Sequence, residues 1–193
     1  MNRLLLILIL TLSFQTLIKA DDIRDFQIEG MSIGDSALDF FSESELKNNK
    51  QADQYPNDKF IIRNFYLHSS FEKYEMVTVN HLKNYNKFII ESLGASIFYK
   101  DIKECYNMKK KIITEFNQVF KNSKSDSGKV KKSFDKTGNS LTDITEYYLS
   151  NGSVVQVTCD DWSEVFEKKG FEDSLNVNLQ SKKFSEFLDI AYK

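Results

Sequence analysis

One long amphipathic segment divides this chain and limits what can be built around it. From Asp101 to Phe120, the residues Ile102, Cys105, Met108, Ile112, Phe116 and Val119 recur at helical spacing. Lys103, Lys109, Lys110 and Lys111 fall off that stripe. Asp101 stands where an N-cap acceptor belongs. A helix with one apolar stripe needs one apolar face to cover it.

The flanking segments read as strands that supply such a face. Before the helix come Lys59 to Leu67, Tyr74 to Leu82 and Lys87 to Tyr99, all rich in β-branched and aromatic residues, with Gly94 placed to mark a bulge. After it, Asp143 to Leu149 and Ser153 to Cys159 flank Ser150-Asn151-Gly152, and Asn-Gly is a strong hairpin signal. Leu175 to Leu179 alternates as a further strand, and Lys182 to Tyr192 reads as a closing amphipathic helix. Lys121 to Ser140 reads as a polar loop. Near the start, Ser32 and Asp35 have capping-box spacing ahead of Ile33, Ala37, Leu38, Phe40 and Phe41, which predicts another helix. The fold class that follows is α+β, an antiparallel sheet packed by helices. The element order suggests two αβββ units in tandem, with halves at 31–99 and 101–193.

Residues 1–20 (MNRLLLILILTLSFQTLIKA) have the layout of a secretory signal peptide. Arg3 supplies the positive start, Leu4 to Leu12 the apolar run, and Ala20 the cleavage position. The run is short for a membrane span. The expected mature protein, 21–193, is a single exported α+β domain, periplasmic or secreted, with no later transmembrane helix.

Export bears on the two cysteines. Cys105 lies on the helical stripe, and Cys159 shares a strand face with Val155 and Val157. Both point toward one core, and exported proteins meet oxidising conditions. The expected Cys105–Cys159 disulfide would pin the helix to the sheet.

Composition narrows the chemistry. The net charge is −2, which argues against a nucleic-acid binder. Lys outnumbers Arg 23 to 3, and the only histidines are His68 and His81. Neither histidine has a second His or Cys at ligand spacing, so no metal and no cofactor are expected. Gly34-Asp35-Ser36 looks like the nucleophile block of the GDSL esterases. No His follows His81, so the general base of that family is missing, and capping explains the same residues. Asp160, Asp161, Glu164 and Glu167 surround Trp162 without the spacing of a calcium loop. Trp162 is instead a candidate aromatic anchor. Tyr147 and Tyr148 join it as candidate surface residues, one of the two facing outward. Lys121, Lys124, Lys129, Lys131, Lys132 and Lys136 offer peripheral contact with anionic lipid headgroups.

Ile28 to Phe41 (IEGMSIGDSALDFF) resembles the start of the small outer-membrane assembly lipoproteins of the SmpA/BamE type, without their lipidated Cys. The tandem αβββ order is similar to the β-lactamase-inhibitor-protein fold. The wider pattern IEGMSIGD, DIKECY and VTCDDWSE resembles a family of uncharacterised exported bacterial proteins. That resemblance implies export and the cysteine pair, and it supplies no activity. The resulting expectation is a non-enzymatic, envelope-associated module that binds a protein partner. A periplasmic carrier of a small ligand or lipid is the first alternative, and a hydrolase without a His base is the second.

Overall fold

Helix α2 (Ile102–Val119) forms where its stripe predicts. The Asp101 carboxylate caps it by accepting a bond from the Lys103 amide at 3.0 Å. Its buried residues are Cys105, Lys109, Ile112 and Phe116, spaced by four, three and four. The computed structural model describes residues 22–51, 55, 59–83 and 86–191; the predicted signal peptide lies outside the described residues.

The strands are β1 (Phe60–Tyr66), β2 (Met76–Leu82), β3 (Ile90–Tyr99), β4 (Lys124–Lys131), β5 (Leu141–Tyr148), β6 (Val154–Asp161) and β7 (Asp173–Gln180). They form one antiparallel sheet in the order β1-β2-β3-β7-β6-β5-β4. Period-two alternation puts Val77, Val79, Leu93, Val177, Val155 and Val157 on one face, and all are buried in the core beneath α2. Each such burial contributes about 1.5–3 kcal/mol. Helix α1 (Glu43–Asn48) begins at a complete capping box between Ser42 and Glu45. The short helix α3 (Glu164–Glu167) follows β6, and α4 (Lys182–Ala191) follows β7. Phe184 and Phe187 of α4 form a separate apolar cluster with Phe60 of β1.

The Sγ atoms of Cys105 and Cys159 lie at disulfide distance, with Cα atoms 6.0 Å apart. Both side chains are fully buried. The pair joins α2 to the strand beneath it, as the shared core direction implied.

Three local expectations are corrected. The segment 121–140 is not all loop, because 124–131 forms edge strand β4, paired with β5 from Lys124↔Tyr148 to Lys131↔Leu141. Every β4 residue is exposed, so no apolar alternation announces the strand. Its lysines blunt an open edge. Ser32 opens a turn rather than a helix. Backbone bonds from Gly34 to Ile90, from Ile90 to Asp35 and from Ala37 to Phe88 lay that segment along the start of β3, which leaves only a 3-10 turn at Ala37–Asp39. Gly94 pairs in register with Thr78 and Asn178, and the bulge falls at Glu91, between the pairs Asn80↔Ser92 and His81↔Ile90. The strand order keeps β1–β3 and β4–β7 as two contiguous blocks, which meet where β7 pairs with β3.

Candidate functional site

Four aromatic rings gather at the end of the sheet where β6 runs into α3. Trp162 lies 4.5 Å from Phe171, 5.8 Å from Phe166 and 6.1 Å from Phe134, centroid to centroid. Phe134 is 58% exposed and Phe171 is 42% exposed. Val165, beside them in sequence on α3, is also exposed. Two ammonium groups face the rings: Lys132 Nζ lies 4.3 Å from the Trp162 ring and Lys169 Nζ 4.5 Å from the Phe166 ring.

The elements beneath hold this patch in place. The Asp135 carboxylate accepts bonds from the Thr137 amide at 2.9 Å, the Thr137 hydroxyl at 2.7 Å and the Ser140 amide at 3.0 Å. The Ser140 hydroxyl also donates to it, and in turn accepts from the Ser163 amide at 2.9 Å. That chain ties the turn carrying Phe134 to the start of α3. The Ser140 hydroxyl, followed by the Thr137 bonds, holds the Asp135 carboxyl well below the usual carboxylate range, against the opposing effect of burial. The Trp162 amide donates to Asp173 at 2.8 Å. Lys132 is anchored by Asp160 at 2.7 Å and Thr142 at 3.0 Å. The result is an exposed aromatic surface on a rigid base, the arrangement of a protein-contact anchor.

The residues singled out from the sequence do not converge. Trp162 belongs to the patch. Tyr148 and Tyr147 lie at the far end of β5, roughly 23 Å of strand from the residue opposite Asp161. Tyr148 is the outward one, 38% exposed, with its hydroxyl donating to Glu146 at 2.6 Å. Tyr147 is buried against Phe116 and Phe120 and donates to Asn117 at 2.8 Å, which removes it as a contact residue. Phe134, Phe166 and Phe171 were not picked out as site residues. Phe166 carries a signal, standing four residues after Trp162 at helical spacing, whereas Phe134 and Phe171 are single aromatics in polar stretches.

Ser36 of the Gly-Asp-Ser triplet donates to the Lys87 carbonyl at 2.8 Å and caps the Leu38 amide, as a turn residue does. His68 bridges the Ser70 hydroxyl at 2.7 Å and Glu45 at 3.1 Å. This chain has the connectivity of an acyl-transfer triad, yet the amides around Ser70 are already engaged. The Ser70 amide donates to His68 Nδ1, that of Phe71 to the His68 carbonyl, and those of Glu72, Lys73 and Tyr74 to Glu29. No amide pair is left there to bind an oxyanion. Among the described residues no group of three His, Cys, Asp or Glu could hold a metal. No described helix is long and apolar enough to cross a membrane. Within the lysine-rich segment, Lys129 faces Asp143 and the Tyr106 ring, and Lys132 is committed as above.

His81 is buried and holds a different role. Arg63 Nε donates to His81 Nε2 at 2.8 Å, while His81 Nδ1 donates to the Leu82 carbonyl at 2.8 Å. Arg63 also donates to the Leu46 carbonyl, which ties β1 to α1. Burial pushes the ring's pKa down to about 4; the Leu82 carbonyl opposes this and the Arg63 charge adds to it. A histidine that is harder to protonate when folded contributes stability above its ordinary pKa. That stability is lost as pH falls from about 6.5 toward 4. Between pH 7 and pH 5 the expected loss is about 1–2 kcal/mol, after discounting for solvent screening. Urea unfolding at both pH values, with His81→Gln as the comparison, checks it. A variant that keeps the same pH slope would sink the assignment to His81.

Family profiles, curated proteins and solved structures provide no significant match to this chain.

Proposed function

We propose that this is an exported, non-enzymatic binding module that holds an envelope protein partner on the aromatic patch. The observation that carries the reading is the Phe134–Trp162–Phe166–Phe171 cluster on a hydrogen-bonded base, with Phe134 and Phe171 exposed and Trp162 and Phe166 half-buried between them. Soluble monomers rarely leave such rings in water without a use for them. The leader sequence and the cysteine pair at disulfide distance are compatible with export. The engaged amides around Ser70 favour binding over acyl transfer.

The patch is suited to contribute binding energy in the way interface anchors do. Its rings are large, already positioned and partly desolvated by one another. Lys169, over the Phe166 ring, favours a partner with a carboxylate at the rim of its contact surface.

The test is in-cell crosslinking of the C-terminally tagged protein, with recovered partners identified by mass spectrometry. One reproducible envelope protein is expected. Trp162→Ala should reduce its recovery sharply, because truncating a central anchor costs about 2 kcal/mol or more, roughly a 30-fold loss of affinity. Tyr148→Ala, at the far end of the sheet, should leave recovery unchanged. Recovery that survives Trp162→Ala, or falls equally with Tyr148→Ala, would remove the patch as the contact.

A further inference from the structure

The sheet face opposite α2 carries a second site. Strands β2, β3, β7, β6 and β5 line a trough of about 350 Å³ there, with Tyr55 and Phe184 and Leu188 of α4 at its rim. That volume lies in the range of small-molecule sites. A merely solvated sheet face usually carries long charged side chains. This one carries amides and hydroxyls, with Asn80, Asn176, Asn178 and Gln156 among them. Asp160 is the sole charge lining it among the described residues, and Lys132 neutralises that charge at 2.7 Å.

Several of these groups are sunk below the surface and still have bonds to offer. Ser92 is 4% exposed, lines the trough, and its hydroxyl has no protein partner among the described residues. Asn80 is 3% exposed; its Oδ1 accepts from the Tyr55 hydroxyl at 3.1 Å, and its Nδ2 has no protein partner among the described residues. Among the described residues only Ser163 Oγ is a buried side-chain polar atom without a partner, so the Ser92 hydroxyl and the Asn80 amide reach the open space of the trough, where a ligand can bond to them. The surrounding amides are preset: Asn178 Nδ2 donates to Gln156 at 3.2 Å, and Asn176 Oδ1 accepts from the Ser96 hydroxyl at 2.6 Å. Gly94 makes the floor possible. A Cβ there would come within 2.5 Å of Asn178 Oδ1, so only glycine lets that amide lie across β3.

We infer that this trough binds a neutral oligosaccharide. Uncharged, hydroxyl-bearing ligands match a wall of amides and hydroxyls whose one charge is already paired. Among the described lining residues there is no free cation for an anionic ligand. Tyr55, with its hydroxyl fixed on Asn80 and its ring packed on Phe184 and Phe187, forms the rim against which the ligand would end. Lys132 bonds Asp160 and Thr142 of the trough and lies over the Trp162 ring of the patch, while the groups offered to the ligand lie on β2, β3 and β7, so sugar binding does not depend on the patch reading.

The experiment is saturation-transfer NMR and calorimetric titration of the mature protein. The probes are two neutral β-linked tetrasaccharides, one of glucose and one of N-acetylglucosamine. Saturable binding of at least one is expected. Gly94→Ala should weaken it about tenfold or more, because the new methyl drives Asn178 into the trough while the backbone conformation remains allowed. Tyr55→Leu, at the rim, should weaken it separately and guards against a folding artefact in the first variant. Phe171→Ala should leave sugar binding unchanged while weakening capture of the protein partner. The inference is overturned if neither tetrasaccharide binds, if Gly94→Ala folds and binds as before, or if an uncharged Ser/Gly peptide binds the trough and the sugars do not.

Discussion

Replacing the cysteine pair, Cys105→Ser with Cys159→Ser, is expected to lower stability by about 4 kcal/mol and the thermal midpoint by roughly 10 °C. The physical reason lies mainly in the unfolded chain. The link spans 54 residues, and without it the unfolded ensemble regains the freedom that the closed loop denies it. The folded side adds a second cost. Both positions are fully buried between α2 and β6, so two hydroxyls would be left in an apolar layer. Urea unfolding of the oxidised protein and the double variant checks the figure. A difference below about 1 kcal/mol would show that packing of α2 alone orders the helix on the sheet. Reduction of the wild-type protein should reproduce most of the effect without the buried hydroxyls, which separates the two contributions.

The second large effect is expected at Lys109. Its side chain lies in the interface of α2 with the sheet, 4% exposed, and forms an ion pair with Asp143 of β5. Lys109→Ala leaves Asp143 half-buried with only Lys129, at 3.7 Å, to face it. Breaking a buried pair from one side costs about 3–5 kcal/mol; the remaining lysine should hold the loss to roughly 2–3 kcal/mol. The double change Lys109→Met with Asp143→Leu should recover most of it, because an apolar pair of similar volume avoids the orphaned charge. Denaturant midpoints of the two variants decide the matter. If the single variant loses less than about 0.5 kcal/mol, the pair is not a structural link between helix and sheet.

Lys109 also shows where residue type misleads and periodicity does not. It sits four residues after Cys105 and three before Ile112, so its position belongs to the buried stripe. Its chemistry argued for solvent, and it was placed off the stripe for that reason. Position prevailed because Asp143 stands opposite it across the interface, a fact that 34 residues of separation conceal. The same limit applies to β4. Lys-Ser-Asp-Ser-Gly-Lys-Val-Lys contains no apolar face, and the strand exists because the free edge of β5 offers it a partner along its whole length. The patch repeats the lesson. Trp162 was legible as an anchor, but Phe134, Phe166 and Phe171 reach it from a turn, a one-turn helix and the loop beyond it.

Local chemistry was decisive wherever neighbours in sequence are neighbours in space. The spacing of Ile102, Cys105, Ile112 and Phe116 determined α2, with Asp101 as its cap. Asn151-Gly152 determined the β5–β6 hairpin, with Gly152 at φ +85°. Alternation in β6 and the helical stripe together pointed Cys159 and Cys105 into one core. Tertiary structure alone decided the neighbours of each strand. Alternation tells a strand which face to bury, but the backbone bonds that pair it carry no residue identity. Thus β7, last of the strands in sequence, could take the centre of the sheet between β3 and β6. That placement lines up Asn176 and Asn178 with Ser96, Gly94, Thr158 and Gln156, and so builds a polar trough across two halves of the chain whose pairing no local signal announces.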